Sequence, residues 1–539
     1  MDIGEVARKS GLPPSTLRFY EEKRLIGSIG RRGLRRVFDP GVLDRLALIA
    51  LGRASGFSLD EIARMFAPDG RPRLDRQMLA DKADKLDRTI KELSAMRDGL
   101  RHAIACRAPS HMECPKFRRL LRAAASGAIG RRAGRSLLLL VAAVALTIAT
   151  VAARQPATAA LEFIDTSVEN GSPLWYDVVD DVVRLHLIYD HERGAPNRAA
   201  GHIHFVLHAR PGAALTLEFR NLDNVWNGQP GSVAGELKTV ALSDDGKTWR
   251  TVPTESLPGN RVQVRVSMAG PRLHVARMEP YRLSDLDRLL GAIRSHPLVR
   301  IEPIGNTAAG RQLEIVRIGR SAAPHRVFVR ARAHPWEAGS SWVAHGLVRR
   351  LLEGDQEAAR FLETYSVTVL PMANKDGVAR GGTRFNIRGT DLNRGWERPA
   401  DSELAPENAA LERWLEREVA ARRKPDLALE LHNDGNGRLH ISRPPVPQLE
   451  RHLARMTILE ELLRRHTWFT EGTTSPTFRN SGTLGEGWLL RYGIDAVVHE
   501  FNCNWIDGLK QPTSSAHWQA YGAGLARVFH EYFSRPLPS

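Results

Sequence analysis

His334-Pro335-Trp336-Glu337 sets an imidazole and a carboxylate three residues apart. The tetrad follows Val327-Phe328-Val329-Arg330-Ala331-Arg332, whose β-branched and aromatic content predicts a buried strand. His432 closes a second strand-like run, Leu427-Ala428-Leu429-Glu430-Leu431, and Glu500 lies in a third, Ala496-Val497-Val498-His499-Glu500-Phe501. Two imidazoles and one carboxylate suit a catalytic Zn²⁺, which takes three protein ligands and keeps one position open for water. A further carboxylate that is not a ligand would take the proton from that water. Alone, a His-x-x-Glu pair arises by chance in a chain of this length, so its weight comes from the residues that accompany it.

Arg384-Phe385-Asn386-Ile387-Arg388-Gly389-Thr390-Asp391-Leu392-Asn393-Arg394-Gly395-Trp396 supplies that company. Asn393 and Arg394 suit a carboxylate, because a guanidinium fork matches two oxygens. Arg384 would polarise a carbonyl. Metal, base and carboxylate anchor together describe removal of a C-terminal residue. The elements that must carry these groups alternate. Val343, Leu347 and Leu351 step by four in a helix ending at Gly354, and Val367, Val369 and Pro371 close a strand before an Asn374-Lys375-Asp376-Gly377 turn. Strands alternating with helices predict an α/β domain over 281–539.

This part resembles the carboxypeptidase A-like zinc metallocarboxypeptidases, and within them the cytosolic-carboxypeptidase branch, which also places a β-sandwich before its catalytic domain. The resemblance rests on "HPWE", "PMANKDG", "TRFNIRGTDLNRGW", "LELHN" and "VVHEF", in family order. It implies zinc on His334, Glu337 and His432, Glu500 as general base, Arg384 on the scissile carbonyl, and Asn393 with Arg394 on the terminal carboxylate of a peptide or protein substrate. Three points depart from the pattern. Trp336 replaces a small residue common in that branch, the family's mobile Tyr has no counterpart except Tyr492, and Glu430 and Asp434 flank His432 as rival ligands. Glu486 falls near the position that sets the family's charge preference and predicts a basic terminal residue. Arg479 or Arg491 would instead favour an acidic one.

Upstream, residues 161–280 hold short alternating runs such as Val182–Tyr189, His202–His208, Leu215–Phe219 and Val262–Val266, separated by turn residues including Asn227-Gly228. The pattern predicts a β-sandwich. His202, His204 and His208 share a strand face there, and a polar sheet face explains them better than a metal.

The first 125 residues read differently. Ile3–Ser10 forms a short amphipathic helix, Gly11-Leu12-Pro13-Pro14 a turn, and Ser15–Glu22 a second helix, which is helix-turn-helix spacing. Ser15, Thr16, Arg18 and Tyr20 can donate to phosphates and base edges. Arg31-Arg32-Gly33-Leu34-Arg35-Arg36-Val37-Phe38 reads as a basic hairpin wing, and Gly56-Phe57-Ser58-Leu59-Asp60-Glu61-Ile62 as a capped helix start. The "STLRFYE", "RRVF" and "GFSLDEI" segments together resemble the MerR family of transcriptional regulators. That resemblance implies a winged helix-turn-helix dimer on promoter DNA, with Arg18, Tyr20, Arg35 and Arg36 among its contacts. Leu79, Ala83, Leu86, Ile90, Leu93, Leu100 and Ile104 carry coiled-coil spacing suited to a homodimer. Cys106 and Cys114 bracket a loop that could hold a soft cation such as Cu(I).

Between the halves, Ser136–Ala153 is uncharged and apolar, preceded by Arg131, Arg132 and Arg135. It predicts a single membrane span with the N-terminal side cytoplasmic and the C-terminal side outside. A cleavage site at Ala157-Thr158-Ala159, or a wholly cytoplasmic chain, is the alternative. The 539 residues exceed one core and predict about two to four domains. Three cysteines exclude a disulfide framework, and a net charge of +16 accords with an anionic partner. The expected order is 1–72 helix-turn-helix, 73–125 dimer helix and Cys loop, 126–160 linker and membrane segment, 161–280 β-sandwich and 281–539 carboxypeptidase. Two other functions fit the same order: a tethered regulator whose peptidase-like domain senses peptides without turnover, and a metal-sensing regulator.

Overall fold

The computed structural model describes residues 160–538 except 321 and 475–480. Nearer the N-terminus it describes 1–10, 25–32, 35–54 and scattered positions between 17 and 87. The chain divides into two compact units, Met1–Thr150 and Val151–Ser539.

In the first unit, Asp2 caps the helix Ile3–Ser10 by accepting the Glu5 N–H at 2.9 Å. The basic wing is a hairpin of Gly30–Arg32 and Arg35–Val37, with Arg31 opposite Arg36. In the helix Val42–Ala54, Val42, Leu46 and Ile49 recur on one face and join Val6, Leu17, Leu25, Ile26 and Phe38 in an apolar core. Ser15, Thr16, Arg18, Ser58, Cys106, Cys114, the run 136–153, Ala159 and all of the coiled-coil positions but Leu79 and Ala83 lie outside the described residues. Among the described residues no helix is long and apolar enough to cross a membrane.

The second unit begins with two five-stranded sheets. One runs Arg250–Pro253, Thr239–Ser243, Arg272–Ala276, His204–Ala209, Leu161–Asp165 in space; the other runs Glu255–Leu257, Arg261–Ser267, Ala214–Arg220, Val182–Leu187, Leu174–Val179. Alternate residues such as Val183, Leu185 and Leu187, or Val262, Val264 and Val266, turn inward and meet Phe205, Leu207, Leu273 and Val275 of the first sheet in one apolar cluster. A smaller four-stranded sheet adds Asp190–His191, Arg198–Ala199, Asp223–Trp226 and Gln229–Ser232. Its hairpin turns on Asn227-Gly228, both at positive φ, which is what a two-residue turn between twisted strands requires. His204 is buried in this module and His208 stacks on Phe163, so the histidines of that strand do not converge.

The site is built on a seven-stranded sheet, β1 (Val299–Asn306), β2 (Gln312–Ile318), β3 (His325–Ala331), β4 (Tyr365–Leu370), β5 (Leu427–Asp434), β6 (Leu439–His440) and β7 (Asp495–Asn502). The order is β1-β2-β4-β3-β5-β7-β6, parallel from β4 to β7 and antiparallel at both edges. Both faces are covered, as a parallel core demands. Val327, Val329, Leu427, Leu429, Leu431 and Val497 face the helices Ala338–Leu351, Leu449–His466 and Ser515–Ser534. Phe328, Ala428 and Ala496, one residue out of phase, face Pro406–Ala420 and Leu484–Tyr492. The Asn374–Gly377 stretch, expected as a turn, opens a short helix, Lys375–Ala379, because the Asn374 side chain accepts the Gly377 N–H and caps it.

Candidate active site

Crevices in open α/β sheets lie beyond the carboxyl ends of the strands where the order reverses, and β3 and β5 meet that description here. His334 follows β3 by three residues, and Glu337 stands just before the helix Ala338–Leu351. His432 lies near the end of β5, directly opposite Glu500 on β7 in the strand register. The period-2 pleat therefore places the His432 and Glu500 side chains on one face, side by side.

The two imidazoles converge on one carboxylate. His334 Nδ1 lies 2.7 Å from Glu337 Oε1, and His432 Nδ1 lies 2.7 Å from Glu337 Oε2. The other ring nitrogens are held from behind. His334 Nε2 is 3.1 Å from Asp391 Oδ1, while His432 Nε2 is 3.0 Å from Asn393 Nδ2 and 3.3 Å from Glu430 Oε1. All three converging side chains are buried, and their candidate ligand atoms lie within 4.8 Å of one another. The donor set fits Zn²⁺: two Nδ1 atoms and a carboxylate face one point while each Nε2 is oriented by a second partner. Burial pushes the Glu337 carboxyl up, but the flanking His334 and His432 outweigh it and hold the group well below the usual carboxylate range. Burial disfavours the His432 cation, yet Glu337 and Glu430 outweigh it and raise its pKa well above the ordinary value.

A cavity of about 340 Å³ opens over these groups, lined among others by Arg384, Arg394, Asp434, His440 and Glu500. Glu500 Oε2 is buried and has no hydrogen-bond partner among the described residues. Burial, then the charge of Asp434, raises the Glu500 carboxyl well above its usual value. Arg384 pairs with Asp391 at 2.7 Å and lies over the Trp226 ring at 4.6 Å. Its loop hangs on Asp190 of the β-rich module, whose Oδ2 accepts the backbone N–H groups of Thr383, Arg384 and Phe385 at 3.1, 2.8 and 3.0 Å. The sequence reading did not single out Asp391, Asp190 or Trp226. Asp391 sat inside the quoted motif; the other two lie more than 150 residues from Arg384 and gave no local signal.

Several expected residues stand elsewhere. Glu486 does not line the cavity: its Oε2 accepts from Ser481 Oγ at 2.7 Å and the Gly482 N–H at 2.9 Å, closing the start of the helix Leu484–Tyr492. Thr483 is the cap of that helix, and the Glu486 carboxylate folds back on the two residues before the cap. Arg491 pairs with Glu412, and the Tyr492 hydroxyl turns to the same Glu412. Glu430 is engaged by Arg330 at 2.7 Å in a buried ion pair, and Asp434 accepts the N–H groups of Asn436 and Gly437, so neither joins the converging set. Asp434, His440 and Glu500 form a second, less buried cluster beside it. Asn393 and Arg394 both line the cavity, Asn393 also meeting His432 and accepting the Leu484 N–H at 3.1 Å. In the first unit, Tyr20 is buried in the apolar core instead of lying on a contact face, and Arg36 pairs with Glu21 at 2.6 Å. Arg35 lies on the second wing strand.

Residues 288–433 match the zinc carboxypeptidase family. Residues 1–68 match the MerR HTH regulatory family, and 43–103 the MerR DNA-binding family. Cytosolic carboxypeptidase 6 of Caenorhabditis elegans is 30% identical over 129 residues, covering 23% of this chain and 28% of that protein. Cytosolic carboxypeptidase 1 of Danio rerio is 33% identical over 126 residues, covering 23% of this chain and 10% of that protein. The chain thus spans about a quarter or less of the length of these curated relatives. A metallo-carboxypeptidase from Burkholderia cenocepacia shares the fold at a TM-score of 0.61 with 21% identity, covering 69% of this chain and 99% of that one. One from Pseudomonas aeruginosa, solved with (2-guanidinoethylmercapto)succinic acid, gives 0.59 with 22% identity, covering 69% of this chain and 98% of that one. The N-terminal part of the chain resembles MerR-type regulators and the C-terminal part resembles zinc carboxypeptidases.

Proposed function

We propose that the second unit is a zinc-dependent carboxypeptidase, joined in one chain to a MerR-type unit that binds promoter DNA. The observation that carries the enzymatic reading is the convergence of His334, Glu337 and His432 with Glu500 in register beside them, its buried Oε2 without a hydrogen-bond partner among the described residues. Zn²⁺ bound there would supply Lewis-acid polarisation of a carbonyl and a lowered pKa for water. The chain's own groups do the rest. Arg394, with Asn393 behind it, holds the substrate's terminal carboxylate and so selects chain ends. Arg384, braced by Asp391, stabilises negative charge as it grows on the scissile carbonyl oxygen. Glu500 takes the proton of the attacking water and returns it to the departing amine. Glu192, Glu236 and Asp434 also line the cavity. Their charge, and the guanidino ligand of the Pseudomonas relative, support a basic terminal residue.

The test is a C-terminal peptide assay with wild type and Glu500→Gln. Wild type should release Arg or Lys faster than Glu. The variant should lose about 10²–10⁴ in turnover while still binding zinc. Undiminished turnover in the variant removes the base assignment, and a zinc-loaded wild type inert towards a peptide library favours a sensor without turnover. On the DNA side, the basic hairpin supports phosphate contact by the wing, and the apolar positions from Leu79 to Ile104 are the proposed dimer seam. The run 136–153 is the proposed membrane anchor of the joined chain.

A further inference from the structure

We propose that Trp336 is a positioning residue for the metal: its indole N–H fixes the Glu337 carboxylate, and the β-rich module locks the indole, so that this module helps set the affinity for zinc. The inference rests on the reading of His334, Glu337 and His432 as the zinc site.

Three atoms approach the Glu337 carboxylate as hydrogen-bond partners among the described residues: His334 Nδ1, His432 Nδ1 and Trp336 Nε1, the last at 3.2 Å from Oε1. They are not equivalent. An imidazole nitrogen that gives its lone pair to a cation has no proton left to donate. Once both Nδ1 atoms turn to a metal, the indole N–H is the donor that still holds this carboxylate. The imidazoles have their own supports in Asp391 and Glu430, which can accept from the ring N–H left on Nε2, so Trp336 completes a set in which every ligand is held by an outer partner.

What fixes the indole lies in another part of the fold. Although Trp336 sits between two candidate ligands, its ring is 5% exposed and packs in the apolar cluster of the β-rich module. Arg277, from that module, lies over the ring at 4.0 Å and is itself tied to Glu236 at 3.2 Å. Gly201, also from the module, passes so close that a Cβ there would stand 2.5 Å from Trp336 Cζ3. The Trp336 backbone N–H donates to the Thr383 carbonyl at 3.3 Å, and the His202 N–H donates to the Thr383 hydroxyl at the same distance. The indole thus spans the junction, with its ring in the module and its N–H on the ligand. A small residue at 336 could do neither.

The test is a chelator-competition zinc titration of the full chain, with thermal unfolding of the metal-free protein measured alongside. Trp336→Phe keeps an apolar aromatic ring in the cluster but removes the N–H together with part of the buried indole. It should weaken zinc binding about 10–100-fold, the usual cost of losing an outer-shell partner, a larger effect than the fall in metal-free stability from the lost packing. Gly201→Ala, in the module and remote from the ligands in sequence, should also weaken zinc binding by displacing the ring. Zinc affinity within twofold of wild type for Trp336→Phe overturns the proposal, and so does an affinity loss matched by an equal loss of metal-free stability. If wild type binds no zinc, the reading of the site fails first and this inference falls with it.

Discussion

Three side chains from two strand ends share one carboxylate-centred knot, and the protons in that knot are what a metal must displace. Burial disfavours the His432 cation, but Glu337 and Glu430 outweigh it and raise its pKa well above the ordinary value, which favours the protonated ring in the metal-free protein. Zinc needs the neutral ring. Binding should therefore release protons and strengthen as pH rises, and weaken as pH falls and protons compete for the ligands. Titrating zinc in two buffers of different ionisation enthalpy at one pH measures the release directly. Binding that neither releases protons nor varies with pH would contradict the assignment of His432 as a ligand. Arg330 and Glu430 explain why the knot stays in place: they are register partners on β3 and β5, buried and paired, so removing either would strand a charge in the core.

Loops carry the remaining groups, and loops need anchors. The stretch from Arg380 to Gly389 is held by the β-rich module at both ends. Asp190 takes three backbone N–H groups and the Arg380 guanidinium, and the Arg193 N–H donates to the Gly389 carbonyl at 2.7 Å. Asp190→Ala should free this loop and misplace Arg384 while leaving the converging ligands untouched. A misplacement of about 1 Å costs on the order of 100-fold in turnover, so a fall of that order is expected, larger than any change in zinc affinity passed on through Thr383. A variant with wild-type turnover would mean that the loop holds its shape without the module. The same reasoning separates Glu486 from the pocket. A carboxylate three residues into a helix finds the free N–H groups of the preceding turn close at hand, and satisfying them outweighs reaching for a ligand.

At the scale of the whole chain, the two compact units match unrelated families, MerR-type regulators in the first and zinc carboxypeptidases in the second. Whether they act together depends on the run 136–153 and the small residues after it. Expressing the full chain and probing both ends on a gel, with membrane and soluble fractions separated, decides the matter. One full-length membrane band supports a tethered regulator, whereas a separate C-terminal product starting near Ala159 would end the tethering proposal. His334, Glu337, His432, Arg384, Arg394 and Glu500 all lie in the second unit, so a cleaved product should keep zinc binding.

Sequence alone determined what depends on local pattern. Continuous apolar and β-branched runs announced β3, β5 and β7, four-residue steps announced the helix Ala338–Leu351, and motifs in family order named His334, Glu337, His432, Glu500, Arg384 and Arg394. Each of those signals is written within a few adjacent residues, and their chemistry follows from side-chain type. Tertiary structure decided what depends on partners distant in sequence. It showed that Asn393 also meets His432 and the Leu484 N–H, that Glu486 turns back on Ser481 and Gly482 and that Tyr20 is buried in an apolar core. It also explained Trp336, a departure from the family pattern in the sequence. The packing that holds its ring comes from Gly201 and Arg277, and no spacing rule links residues that meet only when two layers of the fold close on each other.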